Sequence, residues 1–196
     1  MTDLHQVAWA AWTPTELAAK LRHIQKPWYI VGGWALDLWH GKQTRSHEDL
    51  EFCIMRQDFS TFQSALKDWP LFAATNGEII PLDATDRAKI SQFWGMDRQQ
   101  NRWVFDMMIE PGTPERWHYK RDPSFSAARR DVICKSAEDI PYLNPAAILL
   151  FKAKHQRPKD DADFKQAAPK LNNADRTWLR DALIRFHPDH DWIKQL

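Results

Sequence analysis

The chain has 196 residues, 43% of them apolar, with 27 Lys and Arg against 26 Asp and Glu and a formal net charge of +1. That length suits one good-sized domain, or a domain with a small helical addition, and the apolar fraction suffices for a core. The near-neutral balance argues against a dominantly basic nucleic-acid binder. Tryptophan is frequent, with 11 copies; most are expected to serve packing, and some to be free to line a pocket for a flat ligand. Cys53 and Cys134 make no C-x-x-C pair, so free thiols and a cytoplasmic location are expected. The start, Met1-Thr2-Asp3, has no basic run, and the apolar stretch 7–12 is too short for a leader or a membrane span. No repeat or low-complexity tract is visible.

Thr13-Pro14-Thr15-Glu16 is a helix start: a capping threonine, a first-turn proline and a capping-box glutamate. The helix should run to about Gln25, before Pro27. A short buried strand follows at 28–31. Gly32-Gly33 then turns the chain into a second helix, Trp34 to about His40, closed by Gly41. A polar loop over 42–47 leads to a strand from about Asp49 to Met55. Asp58 is placed to cap a third helix bearing Phe59, Phe62 and Leu66 on one face. Residues 71–74 and 79–82 read as short strands around a turn at Gly77. The stretch 83–100 reads as a polar loop or short helix, 103–109 as a strand, and 132–134 as a last strand. Beyond Asn144-Pro145 the pattern is helical: Ala146 to about His155, a helix from Asp160 or Asp161 ending before Pro169, and one capped by Asn173 that stops before Pro188. The expected fold class is α/β (α+β), with a core over 1–140 and a helical C-terminal part over 141–196 packed on it around one cleft.

Acids stand out against this frame. In a strand over 49–54, Leu50, Phe52 and Ile54 point one way, and Asp49 and Glu51 the other, side by side. Two like charges so close raise each other's pKa unless the face is solvated or a cation lies between them, and magnesium takes such oxygens. The strand Trp-Val-Phe-Asp-Met-Met-Ile carries one carboxylate, Asp106, in an apolar run. A buried charge needs a partner. If this strand pairs beside the first, Asp49, Glu51 and Asp106 hold one or two metal ions, a layout suited to phosphoryl or nucleotidyl transfer. Solvated strand acids and a structural ion pair are the plain alternatives.

Gly32-Gly33, after a strand and opening a helix, lets backbone N–H groups approach a phosphate; a plain tight turn is the alternative. It is neither a dinucleotide fingerprint nor a Walker loop. Arg45 precedes the acids and could neutralise a triphosphate, and Lys152 and Lys154 end an apolar helix where they could hold phosphates across a cleft. Each could equally be a solvated surface cation. His187-Pro-Asp-His190-Asp191 reads as a surface tail rather than a zinc site.

The set Val31-Gly32-Gly33-Trp34-Ala35-Leu36-Asp37, then Gly41-x-x-Thr44-Arg45-x-His47-x-Asp49-Leu50-Glu51, resembles the aminoglycoside and lincosamide nucleotidyltransferases of the polymerase-beta-like superfamily. The tail around Phe151-Lys152-Ala153-Lys154, Arg157-Pro158-Lys159-Asp160 and Asp163-Phe164 is similar to that of relatives. The resemblance is strong over 25–55 and almost nil over 56–100. It implies a small mixed sheet flanked by helices, and attack of a hydroxyl on the α-phosphate of a nucleoside triphosphate, with ATP the expected donor and a small molecule, of the aminoglycoside or lincosamide type, as acceptor. By position it implies Asp49 and Glu51 as magnesium ligands and Asp106 as metal ligand, general base or both. Gly32 and Gly33 would hold the triphosphate, with Arg45 and Lys152 as partners. Glu51 departs from the pattern, since the antibiotic-modifying relatives carry Asp there. The rival reading is a non-catalytic, nucleotide-binding or antitoxin-like protein of the same fold. A polycationic acceptor would need an acidic pocket, for which Glu78, Asp83, Asp86 and Asp97 are the unplaced acids.

Overall fold

The structure is a computed structural model that describes residues 4–84 and 86–196. Its frame is an eight-stranded mixed sheet. The strands are β1 (Trp28–Ile30), β2 (Glu51–Met55), β3 (Leu71–Thr75), β4 (Glu78–Pro81), β5 (Gln92–Asp97), β6 (Arg102–Glu110), β9 (Ile133–Lys135) and β10 (Pro141–Leu143), in the spatial order β4-β3-β5-β6-β2-β1-β10-β9. Between β6 and β9 a separate hairpin, β7 (Arg116–Tyr119) with β8 (Asp122–Ala128), stands off the sheet. Helices α1 (Pro14–Leu21), α2 (Gly32–His40), α3 (Phe59–Ala65), α4 (Arg129–Val132), α5 (Pro145–Ala153), α6 (Pro158–Ala167) and α7 (Asn173–Phe186) complete the chain. No described helix is long and apolar enough to cross a membrane.

Local chemistry accounts for the helix starts. Thr13 and Glu16 form the predicted reciprocal cap. Asn144 accepts from the Ala146 N–H at 2.8 Å, with Pro145 filling the first turn. The last helix is capped by Asn172, one residue earlier than expected, because its side chain reaches the Asp175 N–H at 2.8 Å. The α6 helix starts at Pro158, and α1 ends at Leu21, four residues short of the expectation. Asp58 does not cap α3; its side chain is buried and paired with Lys26 at 3.4 Å.

Alternation sorts the sheet into two faces. Phe52, Ile54, Phe93, Phe105 and Met107 lie on one face and are buried, with Phe93 against Phe59 of α3 at 4.7 Å and Phe105 against Trp12 at 5.1 Å. Each such aromatic buries 150–250 Å², roughly, so this layer dominates the core. The opposite face carries Glu51, Cys53, Gln92, Trp94, Asp106 and Met108. Four strands, β5, β7, β8 and β10, were not legible. Residues 92–97, expected as loop or short helix, are β5, and the hairpin over 116–128 had no strand signal. The polar Gln92 and Asp97 and the central Gly95 hide β5's alternation, which pairing with β6 nevertheless imposes. The helical part begins at Pro145; the residues just before it, Pro141–Leu143, run parallel to β1 as a sheet strand.

Candidate active site

Strand β2 is shorter than expected. It starts at Glu51, and Asp49 lies in the preceding loop, exposed. The expected adjacency of strands holds: β2 and β6 are parallel neighbours, with Glu51 directly opposite Asp106 and the Asp106 N–H donating to the Leu50 carbonyl at 2.8 Å. On the far side of β6, Trp94 is opposite Asp106. One row therefore reads Trp94, Asp106, Glu51 across three strands.

The two carboxylates of this row are electrostatically uncomfortable. Burial pushes Glu51 up to about 7, helped by Asp49 and opposed by Lys152, Arg157 and Lys159. Burial and then Glu51 hold Asp106 well above the usual carboxylate range, although Gln92 pulls it back. Gln92 Nε2 donates to Asp106 Oδ2 at 2.6 Å, while Asp106 Oδ1 is buried without a well-formed hydrogen bond, the Trp94 indole beside it lowering the carboxyl only in part. Among the described residues, no three His, Cys, Asp or Glu side chains gather closely enough to form a metal cluster. The donor set is nonetheless hard oxygen, two of its members are destabilised as anions, and one oxygen atom lacks a well-formed hydrogen bond. That chemistry fits a divalent cation of the magnesium type.

The double glycine has a steric reason. Gly32, the first residue of α2, has φ of +66°, and a Cβ there would lie 2.0 Å from Glu51 Oε2. A Cβ on Gly33 would lie 2.5 Å from Arg45 Nη2 and from the His47 ring. Glycine is thus required because Glu51, Arg45 and His47 fold over the start of α2.

Arg45 is engaged within the protein. Its Nε and Nη2 form a fork on Asp163 of α6 at 3.0 and 3.1 Å, and its Nη1 donates to His47 Nδ1 at 3.0 Å. Since His47 Nδ1 accepts, Nε2 carries the proton and donates to Asp37 Oδ2 at 2.5 Å. Burial lowers the His47 pKa, against the pull of Asp37, consistent with a neutral ring. Asp37 Oδ1 also accepts from the Thr44 N–H at 3.0 Å and hydroxyl at 2.5 Å. Trp34 lies tilted over the His47 ring at 4.5 Å. His47, to which no role was assigned, therefore ties the loop before the acids to α2.

Lys152 is buried as well, with Nζ 3.0 Å from Asp160 and 2.8 Å from Asp163. Asp160, fully buried, also receives Arg157 at 2.8 Å. Burial raises the Asp160 carboxyl, but Arg157 and Lys152 outweigh it and bring the group to about 2. The expected phosphate cations Arg45 and Lys152 are thus neutralised within the protein. Lys154 is exposed and lines no part of the cleft. Asp37, Asp160 and Asp163 stood in the quoted motifs without roles; only the fold reveals them as the partners. Of the tail histidines, His190 Nε2 lies 3.1 Å from the Ala153 carbonyl oxygen.

Beside the carboxylates a cavity of about 530 Å³ opens, bounded by Gly32 and Glu51 at one end and reaching Trp117 of β7 and Phe151 of α5. Trp117 is the tryptophan that meets the expectation of a pocket-lining ring. None of Glu78, Asp83, Asp86 and Asp97 lines this cavity. Glu78 lies on β4, the edge strand farthest from β1 and β10.

Comparison with known proteins agrees with this geometry. A model of the aminoglycoside-2''-adenylyltransferase family matches residues 15–90. Curated proteins give no sequence match. Among solved structures, ANT(2'')-Ia in complex with adenylyl-2''-tobramycin shares 15% identity, with a TM-score of 0.59 over 87% of this chain and 94% of that one. The solution structure of the antibiotic-resistance factor ANT(2'')-Ia gives 14% and 0.57 over 89% and 90%. The lincomycin-bound lincosamide antibiotic adenylyltransferase LnuA gives 17% and 0.55 over 77% and 91%. At these identities the structural likeness is one of fold. The family match spans the glycine pair and the Asp-x-Glu segment, so over that segment and in fold the chain resembles the aminoglycoside and lincosamide adenylyltransferases.

Proposed function

We propose that the protein moves AMP from ATP to a hydroxyl of a small molecule, with Mg²⁺ as cofactor, in the cytoplasm. The solved relatives are bound to lincomycin or an adenylylated tobramycin, which supports an antibiotic-like acceptor. The observation that carries the reading is the row of Glu51 and Asp106, opposed in register and raised in pKa, with Glu51 lining the cavity beside Gly32.

Asp49, Glu51 and Asp106 would hold Mg²⁺, which neutralises the triphosphate and eases departure of pyrophosphate. The chain supplies the rest. Gly32 and Gly33 let the start of α2 come close to the phosphates. Lys152 and Arg157 line the cavity and, with Lys159, act on Glu51, so these cations would face the phosphates. The acceptor oxygen attacks the α-phosphorus, the bond to the pyrophosphate oxygen breaks, and the hydroxyl proton passes to Asp106. Burial beside Glu51 raises the proton affinity of that carboxylate, which suits a base. The helical part over 145–196 closes the cleft from the α5 and α6 side.

Titration calorimetry with each nucleoside triphosphate, with and without Mg²⁺, tests this beside Asp49→Asn. Magnesium-dependent ATP binding is expected in the wild type and lost in the variant, with the thermal midpoint nearly unchanged. Failure of every nucleotide to bind sinks the reading and favours a non-catalytic interaction protein of the same fold.

A further inference from the structure

The cavity beside Glu51 has an uneven charge. Its walls are largely apolar, with Met108 of β6, Ile148 and Phe151 of α5 and Trp117 of β7. Three carboxylates line it. Glu51 belongs to the catalytic row. Glu110 accepts from Tyr29 Oη at 2.7 Å and is paired with the buried Arg129. Asp160 is bracketed by Lys152 and Arg157. None of the last two has an oxygen to spare for a ligand ammonium group.

The opposite holds for two cations on the β7–β8 hairpin. Lys120 and Arg121 line the cavity, and among the described residues neither has a carboxylate within ion-pair distance. Arg121 is held in place: its Nη1 donates to the Phe151 carbonyl at 3.0 Å and to Tyr119 Oη at 3.2 Å, and its guanidinium lies 5.2 Å from the Phe151 ring centre. Lys120 reaches Ser91 Oγ at 3.4 Å. Two cations without counter-charges therefore stand at the wall of an apolar chamber that leads to the catalytic row. A polyamine would meet repulsion from these two cations and find no free acid beside them, Glu51 being at the catalytic end, whereas an anion would be both attracted and selected.

We infer that the acceptor is an amphiphile with an apolar body and one anionic group, such as a carboxylate, sulfonate or phosphate, bound by Lys120 and Arg121. This rests on the reading that the acceptor enters the cavity beside Glu51. The enzyme then differs in acceptor charge from one built for a polycation.

The test compares two probes with one body and opposite charge, naphthalenesulfonate and naphthylmethylammonium, by calorimetry on the full chain. The sulfonate is expected to bind at least about tenfold more tightly, roughly 1.4 kcal/mol. The paired substitution Lys120→Glu with Arg121→Glu is expected to erase or reverse that preference. Equal or tighter binding of the ammonium probe to the wild type overturns the inference without any variant, as does failure of both probes to bind. A preference unchanged in the folded double variant overturns it too. Saturating Mg²⁺ and ATP must leave sulfonate binding in place; displacement would give the two cations to the donor's phosphates and sink the acceptor assignment. Absence of ATP binding with the sulfonate preference intact has a different meaning: it overturns nucleotidyl transfer and leaves the anionic amphiphile as the cavity's ligand.

Discussion

Two groups of buried acids lie close together in this protein and behave in opposite ways. Asp160 and Asp163, on α6, are held below their ordinary pKa, because Arg157, Lys152 and Arg45 more than offset the effect of burial. Glu51 and Asp106, on neighbouring strands, are raised, because burial and mutual repulsion meet no adequate cation. The first group is complete within the chain and holds the helical part to the loop that precedes the acids. The second is incomplete, and its deficit is positive charge. A carboxylate's residue type therefore says little about its role; whether its charge is matched from within the chain says more.

The sharpest way to break this contrast is to remove a matched acid. Asp163→Ala leaves both Arg45 and Lys152 short of a partner at a buried site, and should destabilise the fold by about 3–5 kcal/mol, read by urea unfolding. Acid should act on the same group more gently. Asp160 ionises near 2 when folded and near 3.9, roughly, when unfolded, so its contribution is present above about pH 4 and is lost as the pH falls toward 2. The loss should be about 2 kcal/mol, and Asp160→Asn should flatten that part of the stability–pH curve.

The unmatched group should respond with the other sign. Glu51, raised to about 7, stabilises the fold most below its unfolded pKa and loses that contribution as the pH rises through 7. Without metal at pH 8, Glu51→Gln should therefore be more stable than the wild type, by about 1–2 kcal/mol in chemical denaturation, while losing transfer activity. A loss of stability would mean that Glu51 is matched after all. The smallest effect is expected at Lys154. This residue is exposed and outside the cleft, so Lys154→Ala should change stability by less than about 0.5 kcal/mol and leave nucleotide affinity as it was.

Much of the site was legible because its signals are local. Gly32-Gly33 before an apolar helix, and an Asp-x-Glu step entering an alternating strand, each occupy a few residues and reflect backbone geometry. Asp106 could be noticed by contrast, as one charge in an apolar run. The ion pairs of Arg45 and Lys152 were not legible for the converse reason. Their partners lie on α6, for Arg45 a full 118 positions away, and a cation looks the same in sequence whether it meets a phosphate or a buried aspartate.

By itself, then, the sequence determined the caps at Thr13 and Asn144, a strand entered near Asp49, a strand over 103–109 with its single acid, and the types of residue available for chemistry. Caps and alternation are short-range effects of backbone hydrogen bonding and side-chain direction. Tertiary structure alone decided that β6 lies beside β2 and so sets Asp106 against Glu51, that residues 92–97 become a strand, that Glu51 and the Arg45–His47 pair fold over the two glycines, and that Lys120 and Arg121 face the cavity without acids. These outcomes depend on contacts between distant segments, where burial raises the cost of every unmatched charge.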